Sequence, residues 1–180
     1  VHAQLTDGKT IELSGQDGLF HARVPGLRAR GPLAYRLRVR WPESEEELLD
    51  PYAFDSCLSE ATLSAFADSD WRAVFDMLPR LDECQGVPGL RCSVWAPNAR
   101  RVSLAGDFND WDARRHGMRL RHQAGVWEFF LPHAQPGQRY KFAVLDHQGQ
   151  LRWKADPLAQ QTECPPATAS VITDPQQYEW

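Results

Sequence analysis

The sequence has no basic excess: its 180 residues carry 20 Lys and Arg against 24 Asp and Glu, a formal charge of −4. Nucleic-acid binding needs surplus positive charge to neutralise phosphates, so that class of function is excluded. Arginine greatly outnumbers lysine, but the arginines are interspersed with acids. No apolar run approaches the roughly 18–20 residues that span a bilayer, and no signal peptide opens the chain. The four cysteines, Cys57, Cys84, Cys92 and Cys164, make no Cys-x-x-Cys pair and have no histidines at ligand spacing. This pattern predicts reduced, partly buried thiols in a cytoplasmic protein, rather than a disulfide framework or a zinc site.

The usual marks of catalysis are missing as well. There is no phosphate-cradling Gly-x-x-x-x-Gly-Lys loop, no Gly-x-Gly-x-x-Gly and no Gly-x-Ser-x-Gly elbow, so no cofactor is expected. His116 and His122 lie near each other, yet no cysteine or third histidine joins them as a metal set. Sugar-transfer chemistry needs two carboxylates fixed across a cleft. The (β/α)₈ barrel that often supplies one needs about 250 residues. The chain alone is therefore not expected to be an enzyme. It opens at Val1 and stops at Trp180, which suggests a piece of something longer.

What is present is strand signal. Tyr35 to Trp41 alternates arginine with apolar residues, the pattern of a half-buried antiparallel strand. Leu90–Trp95, Arg101–Ala105, Val126–Leu131 and Tyr140–Leu145 read as further short strands, with Gly, Pro, Asn or Asp between them. One plan is also written twice. Gly18-Leu19-Phe20, Val24-Pro25, Tyr35-Arg36-Leu37 and Asp50-Pro51-Tyr52 match Gly125-Val126-Trp127, Leu131-Pro132, Tyr140-Lys141-Phe142 and Asp156-Pro157-Leu158, at offsets between 105 and 107 residues. Four landmarks in order predict an all-β chain of two tandem immunoglobulin-like β-sandwiches. Ser69-Asp70 ahead of Trp71, Val74, Phe75 and Leu78 predicts a short linker helix near residues 70–78, ended by Pro79. The expected domains are residues 1–84, including that helix, and 85–180. The acidic run Glu43 to Glu47 reads as a solvated loop.

Seven tryptophans are many for this length. Trp95 and Trp127 fall at strand positions and are expected in the core. Trp41, Trp71 and Trp180 suit packing or partner contacts. Trp111 ends the turn Gly106-Asp107-Phe108-Asn109-Asp110, which the first copy lacks; Phe108 can fold back into the core while Asn109 and Asp110 favour turn geometry. An exposed indole covers the flat C–H face of a sugar ring, and about 100 Å² at ~25 cal/mol/Å² contributes roughly 2–3 kcal/mol before ordering costs. Lys141 alternates with Tyr140 and Phe142 and so points away from their core face, free to donate to hydroxyls. Trp153 lies three residues before Asp156. The candidate carbohydrate site is Trp111 and Trp153 as stacking surfaces with Lys141 and Asn109 as polar contacts. Two such platforms predict affinity of roughly high micromolar to millimolar. The same indoles also suit burial against a further domain.

Val94-Trp95-Ala96-Pro97-Asn98-Ala99, then Val102 through Trp111, strongly resembles bacterial 1,4-α-glucan (glycogen) branching enzymes, as do Tyr140-Lys141-Phe142, Lys154-Ala155-Asp156-Pro157 and Thr168-Ala169-Ser170-Val171. The resemblance is dense from Gly86 to about Thr173 and fainter from Asp50 to Leu81; Leu81 to Gln85 departs from the pattern. It implies a family 48 carbohydrate-binding module preceded by a degenerate copy, upstream of an absent catalytic barrel. It also implies α-glucan (glycogen or malto-oligosaccharide) and that barrel as partners, within glycogen biosynthesis. The alternative implied role is structural: docking the barrel and tuning chain-length preference. The sandwich is similar, too, to the glycogen-binding module of the AMP-activated kinase β subunit, whose sugar-contacting Trp, Lys and later Trp match Trp111, Lys141 and Trp153. An asparagine used there falls near Ser170, so that contact departs.

Overall fold

The computed structural model describes residues 1–5, 9–16, 19–24 and 35–174. Gly18, Pro25 and Trp180 lie outside them. The chain forms two compact units, Val1–Asp55 and Ser56–Trp180.

In the first unit, β1 (His2–Leu5), β2 (Thr10–Glu12), β5 (Tyr35–Arg40) and β6 (Glu45–Leu48) make an antiparallel sheet in the order β2-β1-β5-β6, while β3 (Ser14–Gln16) and β4 (Leu19–His21) pair separately. β5 alternates half-buried Tyr35, Leu37 and Val39 with exposed arginines, as its sequence predicts. The acidic run departs from expectation, because Glu45–Leu48 is a strand rather than a loop. Its glutamates meet the β5 arginines: Arg36 and Glu47 approach to 2.7 Å, while Arg38 and Arg40 lie 3.4 and 3.5 Å from Glu45. Cross-strand charge pairing compensates for poor strand propensity.

The second unit is a sandwich of two antiparallel sheets. One sheet runs β10 (Arg119–Arg121), β11 (Val126–Pro132), β8 (Val87–Trp95), β7 (Arg80–Cys84). The other centres on β12 (Arg139–Asp146), which pairs with β9 (Ala99–Gly106) along one edge. Along its other edge β12 pairs with β13 (Leu151–Lys154) and then β15 (Ser170–Val171), next to β14 (Gln161–Thr162). Between the sheets lie Leu90, Cys92, Val102, Leu104, Trp127, Phe129, Tyr140 and Phe142, all nearly or wholly buried. All four cysteines are free thiols, with Cys84 and Cys92 buried.

Two helices, α1 (Glu60–Ala67) and α2 (Ala73–Met77), belong to this unit. The division therefore falls at Asp55/Ser56, not at residue 84. The reason is packing: Leu58, Leu63 and Met77 form a second core with Val126 of β11, and the Ser93 hydroxyl donates to the Met77 carbonyl at 3.1 Å. The expected helix near 70–78 shrinks to five residues. The unforeseen α1 carries the N-cap, the Ser59 hydroxyl accepting from the Thr62 N–H at 3.0 Å.

The internal repeat has a structural counterpart. Tyr140 donates its hydroxyl to Asp156 at 2.7 Å, and Asp156 also accepts from the Leu158 N–H at 2.8 Å. Tyr35 donates likewise to Asp50, which accepts from the Tyr52 N–H at 2.8 Å. In both units the tyrosine stands at the start of a strand, first in β5 and second in β12, flanked by antiparallel neighbours: β1 and β6 around β5, β9 and β13 around β12.

Candidate functional site

The strand β9 ends at Gly106, where a Cβ would stand 2.2 Å from the Arg139 carbonyl oxygen and 2.7 Å from the Phe108 ring. Only glycine lets the chain pass this close. A single helical turn at Asp107–Asn109 follows, with Phe108 folding back onto the core. Asp110 and Trp111 then take φ of 54° and 60°, the left-handed region that costs a non-glycine residue free energy. Two bonds hold this strained pair. The Trp111 N–H donates to the Gly106 carbonyl at 3.0 Å, and its indole Nε1 donates to Asp107 Oδ1 at 3.1 Å.

Asp107 is in turn gripped by Arg139 of β12, which donates from its backbone N–H (2.9 Å), Nε (3.0 Å) and Nη2 (3.0 Å). These donors stabilise the carboxylate and hold its pKa below the usual range. Arg139, Lys141 and Ala143 alternate along β12 on the face away from the core, and Trp153 stands directly opposite Ala143. The rings of Trp111 and Trp153 lie 6.4 Å apart, inclined at 55°. Trp153 keeps 43% of its surface exposed. Lys141 Nζ reaches Thr168 Oγ1 at 2.7 Å. Beside these side chains the same face carries three small, buried residues: Ala143 and Ser103 are 1% exposed and Ala105 is 0%.

The sequence-predicted set thus divides. Trp111, Trp153 and Lys141 share one face. Asn109 does not join them, and this corrects its expected role: it is 2% exposed, with both ends of its amide engaged. Its Oδ1 accepts from the Gly106 N–H at 3.0 Å, while Nδ2 donates to the Leu104 carbonyl at 3.1 Å and lies 3.0 Å from His116 Nδ1. Asn109 builds the turn that presents Trp111. Trp95 also departs from expectation. Trp127 is buried, but Trp95 is 59% exposed, because it alternates with the core residues Leu90, Cys92 and Val94 and so ends β8 on the outward face, where it meets Phe66 of α1 only edge-on. Sequence reasoning missed Asp107 and Arg139; the signal was an acid next to Gly106 and a base one residue before Tyr140.

His116 completes the turn's support. Its ring packs 5.7 Å from that of Phe108 and 5.5 Å from that of Phe129. Burial, then the nearby Arg115 cation, lowers its pKa from the ordinary 6.5. Neutral imidazole lets Nδ1 accept from Asn109; a proton there would put donor against donor. With the folded pKa below the unfolded one, this stabilisation is complete above pH 6.5 and is lost as pH falls below it. The Trp111 turn should loosen on acidification, read as a drift of the Trp111 indole ¹H–¹⁵N resonance. In His116→Gln that drift should flatten; an equal drift in both proteins would exclude His116 as its source.

Residues 79–159 match the family model of carbohydrate-binding module 48, the isoamylase N-terminal domain. This stretch is a member of that family. The module carries Trp111, Lys141 and Trp153, while α1 and α2 precede its matched span. Over its length the chain is similar to bacterial 1,4-α-glucan branching enzymes: 50% identical over 92% of the chain for that of Bordetella pertussis, 47% over 100% for Xanthomonas oryzae pv. oryzae, and 49% over 92% for Ralstonia nicotianae. It spans only 23–24% of the length of those relatives. Among solved structures, a Klebsiella pneumoniae pullulanase complexed with maltotriose aligns with 53% of this chain and 9% of its own, at 22% identity and TM-score 0.43. No helix among the described residues is long and apolar enough to cross a membrane.

Proposed function

We propose that the chain is a non-catalytic α-glucan-binding region that holds glycogen-like chains for a cytoplasmic branching enzyme, which moves α-1,4-glucan segments to form α-1,6 branches. The reading rests on one observation: the Trp111 and Trp153 rings stand 6.4 Å apart on the same face as Lys141. Inclined indoles suit a curved α-glucan, whose successive rings turn relative to one another, better than a flat ligand. Lys141 and Thr168 supply a donor and an acceptor beside the platform. The alternative, a purely structural docking module, would not need its two indoles gathered beside a polar pair.

Titration with a linear malto-oligosaccharide, followed by tryptophan fluorescence and indole NMR shifts, tests the reading. Binding is expected in the high micromolar to millimolar range. Trp111→Ala should weaken it at least about tenfold, since stacking of one ring contributes roughly 2–3 kcal/mol. No response at millimolar sugar, or an unchanged response in Trp111→Ala, would defeat it.

A further inference from the structure

The second unit has another aromatic recess, on the other sheet from Trp111 and Trp153. It is a groove of about 510 Å³ whose lining includes Phe66 and Trp71 from the helical segment and Trp95 from the end of β8. Trp71 and Trp95 are 66% and 59% exposed. Indoles left this wet in a folded domain mark a binding surface when they share one concavity. Both are fixed. Phe66 meets Trp95 edge-on at 6.3 Å, Phe75 meets Trp71 edge-on at 5.7 Å, and the Arg72 guanidinium sits 5.8 Å from the Trp71 ring centre.

The groove is not purely apolar. Ser69, Asp70 and Gln123 line it too, offering a hydroxyl, a carboxylate and an amide. Asp70 is held in place: its N–H donates to the Ala65 carbonyl at 2.8 Å, and Oδ1 accepts from the Arg72 N–H at 3.0 Å. Ser69 takes φ of 65°, a strained conformation that sets this polar edge between the two helices. Arg72 lies 3.9 Å from the Asp70 carboxylate and balances its charge. The occupant that fits is neutral, rich in hydroxyls and flat on one apolar face. A phosphate, an anionic peptide and a lipid headgroup each fail one of these requirements.

We propose that this groove is a second glucan subsite, formed by Trp71 and Trp95 with Asp70 and Gln123 as polar contacts. The identity of the sugar rests on the function proposed above; the groove's geometry does not. Two subsites on opposite sheets of one sandwich give bivalent attachment to a branched polymer. Its apparent affinity for the unit would then exceed that of either site for a short oligosaccharide.

The test uses the intact chain with maltoheptaose up to about 10 mM, each indole resonance being assigned by single Trp→Phe variants. The Trp71 and Trp95 indoles are expected to shift in the wild type and equally in Trp111→Ala. Trp95→Ala should weaken the groove response at least about tenfold while leaving the Trp111 shift unchanged. Should Trp95→Ala disturb folding, seen as loss of dispersed resonances, Trp71→Ala and Gln123→Ala provide the same readout from exposed positions. Shifts at Trp111 and Trp153 with Trp71 and Trp95 silent would overturn the second subsite alone. Silence at Trp111 and Trp153 with the groove responding would overturn only the first site. Groove shifts that disappear in Trp111→Ala would show them to be secondary and also overturn the proposal.

Discussion

Glu128→Ala should destabilise the second unit by about 3–5 kcal/mol, more than any truncation of an exposed charge in the chain. Glu128 is 2% exposed, beneath the helical segment. Its Oε2 accepts the Leu58 N–H at 2.9 Å, and Oε1 lies 3.2 Å from Arg121 Nη1. The same Nη1 donates to the Leu58 carbonyl at 2.9 Å, and Nη2 pairs with Glu60. The pair therefore ties both polar groups of one residue, just ahead of α1, to the outward face of β10 and β11. Removing Glu128 leaves the Leu58 N–H unsatisfied and a largely buried guanidinium with only Glu60, at the surface, as counter-charge. Glu60→Ala should cost under about 1 kcal/mol, because Glu60 is 76% exposed and its pairing is screened. Glu128→Gln should fall between, keeping an acceptor for Leu58 but losing the charge. Urea unfolding of the three variants measures the order; equal midpoints for Glu128→Ala and Glu60→Ala would show that the buried pair anchors nothing. Since α1 carries Phe66 and the turn between α1 and α2 carries Trp71, the proposed groove should lose its sugar response first as Glu128→Ala is warmed.

That anchor explains why the domain boundary was hidden in the sequence. Glu128 sits in an otherwise apolar strand, and Leu58 lies 70 residues away, so no local pattern announces that they meet. The helix α1 was legible in principle, with Ser59 as its cap and Leu63 and Phe66 on one face, but eight residues without a strong moment make a faint signal beside strand alternation. The strands themselves were clear, because period-two alternation in β5 and the apolar runs of β8 and β11 reflect burial directly. Trp111, Lys141 and Trp153 could be grouped from the repeat and the family resemblance. Which way Asn109 points could not. Asparagine suits an exposed contact and a buried turn equally well, and the decision lies in the tight passage at Gly106, which gathers the Gly106 N–H and the Leu104 carbonyl around one amide. Trp95 was misjudged for a related reason. Its apolar ring at a strand position points to the core, yet the alternation that buries Leu90, Cys92 and Val94 turns Trp95 to the opposite face of β8.

The repeat supplies a paired experiment with the second largest expected effect. Asp156→Ala should cost about 2–4 kcal/mol, and Asp50→Ala about 1 kcal/mol, although the two aspartates make the same bonds in their respective units. Asp156 is 4% exposed and Tyr140 is 1% exposed. Truncation leaves a buried phenol hydroxyl and the Leu158 N–H without their acceptor, and each unsatisfied group costs about 1–3 kcal/mol. Tyr35 and Asp50 are only half-buried, so water replaces the lost partner there. Function should separate the two further. The Asp156 N–H donates to the buried Ser170 hydroxyl at 2.8 Å, two residues from Thr168, the partner of Lys141. Loosening that strand frees Lys141 from its fixed position beside Trp111 and Trp153. Asp156→Ala is thus expected to weaken malto-oligosaccharide binding several-fold even where the unit stays folded, while Asp50→Ala leaves it unchanged. Chemical denaturation and sugar titration of the same two proteins decide the matter. Equal stability losses would mean that burial does not distinguish the copies. A binding loss in Asp50→Ala would mean that the first unit takes part in holding the glucan.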